Sequence, residues 1–419
     1  MRKRRRYKSM RLGEKKEIAN KLLFTFIMIA VFKLLAFVPS PFVNMSEVQE
    51  LVSKLSLLET AELFSGQAIS HLTLMATGVS SYITASIVLQ FLTYGSKRLN
   101  ELSKSSNGEK VMQRITLAMG LVISFVSSIV LTYGLSKQNA GVLTNNEWYA
   151  FVTVAAFHSF GTFLAISIGN LIEKKGYGNG LSLLIAVNVV SSIPSIINSL
   201  KVYWLVDKVA TLIIIGLTTV MILTIIIMES SEKKIPVRYS KVVARSTGHM
   251  RSQKQTLPMK INSAGVMPII LASTILQLVV FALGFSNNST VKEFLSVAMN
   301  PQRVYYGLIT SSLILIFTFV YSAIIFDAND VADSLQKNGG TILGIRPGRS
   351  TRDFLKRINK SLTRLSAAYL LFVSLIPTAI TILFGFSGIQ ATSLMIVVGV
   401  SLDSIMKFTN EYNLGKMKL

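Results

Sequence analysis

Cysteine is absent from all 419 residues, which excludes disulfide frameworks, thiolate metal sites and cysteine nucleophiles together. Histidine is almost absent. His71, His158 and His249 stand far apart, with no carboxylate or histidine partner at metal-ligand spacing, and read as structural or surface residues. Charge is scarce as well: 15% of the residues are charged against 51% hydrophobic, and the mean hydropathy is +0.52. A chain of this size and composition is too apolar for water, so the bilayer is its solvent. Carboxylates are the rarer charge, and those present fall in loops or at helix ends. The missing midplane carboxylate disfavours an ion-coupled secondary transporter. No Ser-His pair, paired aspartates or zinc constellation lies within the apolar stretches, which disfavours an intramembrane enzyme. No catalytic residue, metal or cofactor is expected.

What the chain does have is long apolar runs. A spanning helix needs about 20 mostly apolar residues, and such stretches occur near 22–38, 76–94, 113–135, 148–171, 181–199, 209–228, 262–284, 303–326, 363–384 and 389–406. The first follows a basic arm, as a signal peptide would. Phe37-Val38-Pro39-Ser40-Pro41 offers no small-residue cleavage site, so it reads as a retained first helix. With the arm of Arg2, Lys3, Arg4, Arg5 and Arg6 placed in the cytoplasm, the cytoplasmic segments carry 36 Lys and Arg and the outer loops 6. The split obeys the positive-inside rule at every loop and puts both termini in the cytoplasm. The net charge of +23 is therefore mostly a topology signal and needs no DNA or RNA to explain it.

Several features depart from plain spans. Lys33 is the one ionisable residue deep inside a predicted span, near its outer end, and is expected to snorkel to the interface. Leu63-Phe64-Ser65-Gly66-Gln67-Ala68-Ile69-Ser70-His71-Leu72-Thr73-Leu74 is too short and too polar to cross. It reads as a re-entrant half-helix, with an external amphipathic helix as the alternative. Residues 229–261 carry eight basic residues against Glu229 and Glu232, and residues 327–364 carry eight against four aspartates. Such loops lie on anionic lipid, fix topology, or dock a ribosome or an acidic motor protein. Gly176-Tyr177-Gly178-Asn179-Gly180 lacks the strand and the Lys-Ser/Thr of a phosphate loop and reads as a tight turn into the fifth span. Helical spacing puts Ile83 and Ile87 on one face of the second span, and Ile185 and Val189 on one face of the fifth.

Taken together, several stretches resemble the SecY family of protein-conducting channels. They are Gly78-Val79-Ser80-Ser81-Tyr82-Ile83-Thr84-Ala85-Ser86-Ile87, Gly178-Asn179-Gly180-Leu181-Ser182-Leu183, Lys234-Ile235-Pro236-Val237-Arg238-Tyr239 and Leu257-Pro258-Met259-Lys260-Ile261-Asn262-Ser263-Ala264-Gly265-Val266-Met267-Pro268. To these are added Asp330-Val331-Ala332-Asp333-Ser334-Leu335, Gly344-Ile345-Arg346-Pro347-Gly348 and Ser393-Leu394-Met395-Ile396-Val397-Val398-Gly399-Val400. Order, spacing and span count agree over nearly the whole chain.

The resemblance implies an all-α membrane protein. Ten transmembrane helices would form two pseudo-symmetric five-helix halves around a central hourglass pore, with a re-entrant plug half-helix. In domain terms it implies a basic arm at 1–21, an N-terminal half at 22–200, a C-terminal half at 201–406 with cytoplasmic loops 229–261 and 327–364, and a short tail at 407–419. The halves would hinge at the outer loop near 199–206. Unfolded secretory polypeptides would pass between them, and apolar segments would leave sideways between the second, third, seventh and eighth helices. Carried over by position, the pore ring falls on Ile83, Ile87, Ile185, Val189, Ile270 and Ile396. A ring of branched apolar side chains dewets readily and limits ion leakage. The plug would comprise Leu63, Phe64, Ser65, Gly66, Gln67, Ala68, Ile69 and Ser70. Thr84 and Asn262 match polar positions of the lateral gate and are expected to bond across it. Arg346 matches a docking position for a SecA-type motor ATPase or a ribosome, and Arg245, in the companion basic loop, is expected to dock with it. Small single-span or accessory subunits and membrane lipids complete the implied partners, and the implied location is the cell membrane. Ser81 where the family usually has proline, Val189 in place of isoleucine, the divergent plug wording and the short tail make the chain similar to an accessory SecY of Gram-positive bacteria. Such channels export serine-rich glycoprotein adhesins. The housekeeping SecY channel is the alternative.

Overall fold

The computed structural model describes residues 12–54, 68–69, 71–105, 107–138, 140–145, 147–239, 255–284, 297–298, 300, 302–386 and 388–417. Within a bilayer every backbone N–H and C=O must be satisfied inside the protein, so apolar stretches fold as helices. All ten predicted stretches do so. They fall on α1 (Leu12–Leu35), α3 (Gly78–Gly95), α5 (Gly108–Gln138), α6 (Trp148–Lys175), α7 (Gly180–Val206), α8 (Lys208–Ser230), α9 (Met267–Gly284), α10 (Val304–Ile325), α12 (Arg349–Phe384) and α13 (Ala391–Met417). Six of these, α5, α6, α7, α8, α10 and α12, meet membrane-span criteria by length and composition alone. Among the described residues, three short α-helices, α2 (Met45–Lys54), α4 (Lys97–Lys104) and α11 (Ala328–Lys337), and a 3-10 turn at Ala140–Val142 lie outside the predicted spans.

Hydroxyls inside the spans are reabsorbed by their own helices. Thr218 and Thr224 on α8 and Thr310 and Thr318 on α10 each donate to the carbonyl four residues back, which removes the cost of a bare hydroxyl in lipid. The helix starts are capped in turn. Asn179 Oδ1 accepts from the Ser182 N–H at 3.3 Å to open α7, and Asp207 Oδ1 accepts from Val209 and Ala210 at 2.9 and 3.0 Å to open α8. The glycine-rich turn before α7 is needed for close approach. Gly178 has φ +93°, and a Cβ on Gly180 would lie 1.9 Å from the Gly169 carbonyl oxygen on α6.

The structure departs from three expectations. The stretch at 199–206, expected as an outer hinge loop, forms the last two turns of α7, and Asp207 alone links α7 to α8. The two basic loops are folded and joined. Residues of the first form β1 (Glu232–Tyr239) and β2 (Gln255–Lys260), and Gly340–Ile342 of the second forms β3, giving a sheet of order β2-β1-β3. Pairing is antiparallel, with Lys234 opposite Pro258 on one side and Val237 opposite Ile342 on the other. Strand alternation buries Ile235 and Val237 against Met259, Leu335 and Leu355, and turns Lys234 and Arg238 outward. The rest of the second loop is α11 and the first turns of α12, which runs 36 residues and carries its basic half out of the apolar layer. Lastly, Lys33 does not snorkel along its helix: its ammonium donates across to Asn188 Oδ1 on α7 at 2.9 Å.

The buried cores divide along the chain. α1, α3, α5, α6 and α7 share two clusters, one around Phe32, Met75 and Leu184 and one around Leu72, Leu131 and Val154. α8, α9, α10, α12 and α13 share a third around Met221, Ile314 and Leu370. α7 meets α8 and α13, and α9 reaches α3 and α5. Between these bodies lies one further apolar cluster, which belongs to neither.

Candidate functional site at the junction of the two helix groups

That junction cluster contains five of the six residues expected in the pore ring. Ile83 and Ile87 come from α3, Ile185 from α7, Ile270 from α9 and Ile396 from α13, joined by Ala264, Leu271 and Phe317. Val189 is buried on α7 but is not part of this cluster. Four separate helices thus bring branched aliphatic side chains together where both helix groups meet. Ile87 is 1% exposed, and its chain neighbour Val88 is 39% exposed, so the helix presents one face to the junction and the next to the surroundings.

One hydroxyl enters the cluster. Tyr321 on α10 donates its O–H to Gln90 Oε1 on α3 at 3.0 Å, bonding the two groups directly. Sequence reasoning missed this pair, although Gln90 continues the stripe of Ile83 and Ile87 at helical spacing, where an amide in an apolar run calls for a partner. The expected gate residues bond elsewhere. Thr84 donates to the Ser80 carbonyl of its own helix at 3.1 Å. Asn262 donates to Glu229 Oε1 at 2.6 Å and accepts from Ser366 at 2.7 Å, so its amide is held within the second group. Among the described residues, Gln90 and Tyr321 bond between the two groups at this cluster, and Thr84 and Asn262 do not bond each other.

Beside this hydrogen bond opens a cavity of ≈ 1410 Å³, bounded by α3, α4 and α5 on one side and α10, α11 and α12 on the other. Its walls are mixed: Ser86, Thr93, Asn100, Gln113 and Thr116 on one side and Ser322, Asn329, Lys356, Asn359 and Thr363 on the other stand among apolar side chains such as Leu89, Met112, Phe319 and Ile325. The cavity adjoins the aliphatic cluster at Gln90 and Tyr321.

The SecY family model matches residues 73–405. The chain belongs to the SecY family. It is a subunit of a protein translocation channel and a multi-pass membrane protein, as SecY-family translocon subunits are. The protein translocase subunit SecY of Helicobacter pylori is 30% identical over 415 residues, spanning 96% of this chain and 98% of that one. That of Streptomyces coelicolor is 32% identical over 429 residues, spanning 94% and 95%. Among solved structures, a protein-conducting channel aligns with a TM-score of 0.65 at 18% identity, covering 94% of this chain and 93% of that one. Sec61 in the canine ribosome-channel complex aligns with a TM-score of 0.62 at 18% identity over 94% and 93%. At these identities the structures show the SecY/Sec61 fold.

Other expected SecY positions place as follows. Leu63, Phe64, Ser65, Gly66, Gln67 and Ser70 lie outside the described residues, as does Arg245. Ala68 and Ile69 are buried. The described part of the expected half-helix, 68–69 and 71–74, is turn and bridge, not helix, because its backbone pairs with other segments: Leu74 N–H donates to the Val38 carbonyl at 2.9 Å. Arg346 is exposed on the turn between β3 and α12, where its carbonyl accepts from Thr351 Oγ1 at 2.9 Å.

Tyr321→Phe keeps the ring and deletes the donor to Gln90. A net hydrogen bond of about 1 kcal/mol predicts a roughly five-fold larger open population. In this cysteine-free chain it is read as the labelling rate of a single cysteine at Leu271 by a water-soluble thiol reagent. An unchanged rate would show that the bond does not hold the groups together.

Proposed function

We propose that this chain is the central pore subunit of a channel that exports unfolded polypeptides across the cell membrane and releases apolar segments sideways into it. The observation that carries the reading is the meeting of Ile83, Ile87, Ile185, Ile270 and Ile396, from four helices, at the junction of the two helix groups. Branched aliphatic side chains give a passing chain no hydrogen-bonding site at which to stall, and they close on themselves when it leaves. In this reading Val189 adds to the ring from α7. The residues from Leu63 to Ser70 form the plug. Arg346 and Arg245 dock a SecA-type motor ATPase or a ribosome, and both termini are cytoplasmic. Small single-span subunits are expected on the lipid-facing helices.

The finer reading is an accessory channel for serine-rich glycoprotein adhesins. It is supported by divergence: Ser81 in place of proline, and identity of 30% to the SecY subunit of Streptococcus gordonii, the same as to that of Helicobacter pylori. Reconstitution with a SecA-type ATPase and ATP tests the channel itself. Protease-protected precursor inside the vesicles is expected, whereas ion flux driven by a small solute with no protected polypeptide would mean a secondary transporter. Deletion of the gene separates the two channel types. Loss of surface glycoprotein with bulk secretion intact is expected, and general secretion failure would assign the housekeeping role.

A further inference from the structure

Gly78, with φ +29° at the junction of the re-entrant segment and α3, is the place a hinge would be sought. The residues before it are not built to swing. Leu72, Met75 and Ala76 are almost wholly buried, and they lie in two cores at once: Leu72 and Ala76 against Leu131 and Val154, Met75 against Ala165 and Leu184. The backbone is fastened as well. Thr73 pairs antiparallel with Pro39, and Leu74 donates to Val38 at 2.9 Å. The Leu74 carbonyl sits so tightly on α6 that a Cβ at Gly161 would lie 1.9 Å from its oxygen.

Side chains close the arrangement. Thr77, Ser124 on α5 and Thr162 on α6 form a buried hydroxyl triangle with sides of 2.7, 2.9 and 3.3 Å. One turn away, the His158 imidazole bridges two hydroxyls, Nε2 with Ser40 Oγ at 2.9 Å and Nδ1 with Ser128 Oγ at 2.7 Å. A neutral imidazole has one donor and one acceptor nitrogen, and hydroxyls serve either role, so this bridge satisfies every group without charge. It ties the segment that pairs with Thr73 to α5. Swinging residues 71–77 about Gly78 would break the Thr73–Pro39 pairing and the Leu74 bond to Val38, and would pull Thr77 from Ser124 and Thr162, leaving buried polar groups without partners.

We propose that residues 71–77 are a fixed sill at the outer end of the first helix group, that His158 is the residue that positions it, and that channel opening leaves it in place. The inference rests on the reading of the chain as a translocation channel. His158 is a positioning residue: it touches Ser40 and Ser128 and acts through the sill.

The absence of cysteine makes the test direct. Antiparallel partners have Cα atoms about 4.5–5.5 Å apart, within the disulfide range of about 4.4–6.8 Å, so Pro39→Cys with Thr73→Cys locks the sill on oxidation. The purified channel complex, in vesicles with a SecA-type ATPase, is assayed for export before and after oxidation. Export within two-fold of the reduced channel is expected; a tenfold loss restored by reductant would mean that the sill moves. A well-folded reduced channel that exports nothing would contradict the channel reading and not the sill. In parallel, chloride leak from vesicles holding the resting complex is measured. His158→Leu is expected to raise the leak at least five-fold with export retained, and His158→Gln, whose amide both donates and accepts, to stay within two-fold of wild type. Wild-type leak in His158→Leu would remove the positioning role.

Discussion

Replacing Ile87 and Ile270 together with asparagine is expected to raise the resting ion conductance of the reconstituted channel at least tenfold. Both side chains lie in the junction cluster and are nearly buried. Their only resistance to water is the lack of any group that would hold it. Two amides supply donors and acceptors on facing helices, so a water thread costs less to form; a drop of about 1.4 kcal/mol in that cost is a tenfold change in its population. The control is Val88→Asn, one residue along α3 on the exposed face, which leaves the conductance at the wild-type level. Planar-bilayer recording of the three proteins checks this. Equal conductance in all of them would show that the cluster is ordinary helix packing and not a seal.

Arg346→Glu is expected to lower export more than tenfold while membrane insertion and thermal stability stay unchanged. The side chain is exposed on the turn between β3 and α12, and that turn is held by backbone contacts: Ile345 N–H donates to the Ile342 carbonyl at 3.1 Å, and Thr351 caps the Arg346 carbonyl. Among the described residues the guanidinium has no hydrogen bond or ion pair. On the proposed docking role, its loss falls on the partner and not on the fold. A charge-assisted hydrogen bond contributes about 1.5–3 kcal/mol, and reversal adds repulsion against an acidic partner or RNA phosphate. Comparison of ATP-driven export with melting temperature in detergent separates the two effects. Retained export in R346E would remove the docking role.

The apolar helices are legible because bilayer thickness imposes one length on every apolar run, and six of them are long and apolar enough to cross a membrane. Where the chain leaves the apolar layer that constraint ends, and so did the accuracy. The basic stretch beginning at Arg349 reads as loop by charge, yet it is the start of α12; a helix that rises out of the membrane changes its surface without changing its backbone. The pairing of Val237 with Ile342 joins strands about a hundred residues apart, and no local pattern encodes that register. The resemblance puts an outer hinge loop at 199–206, and span length cannot correct it because it does not say how far a helix continues past the interface.

The junction site divides in the same way. Ile83 and Ile87 were readable by helical period, but their meeting with Ile270 and Ile396 rested on family resemblance, since period says which face a residue occupies and not what that face meets. Thr84 and Asn262 were assigned by position, and the structure gives their hydrogen bonds to Ser80, Glu229 and Ser366 instead. Gln90 with Tyr321 was overlooked because the sequence separation of 231 residues hides the partner. From sequence His158 reads as structural or surface; its two serine contacts make it structural, and the sill it supports depends on three segments converging.

The most direct measurement is site-specific photo-crosslinking to a stalled export substrate, with the photoreactive residue placed in turn at Ile87, Ile270, Ile396 and Val88. Adducts to the polypeptide from the first three and to lipid alone from Val88 are the expected result. Polypeptide adducts from Val88 with lipid adducts from the other three would contradict a central aliphatic seal around the passing chain.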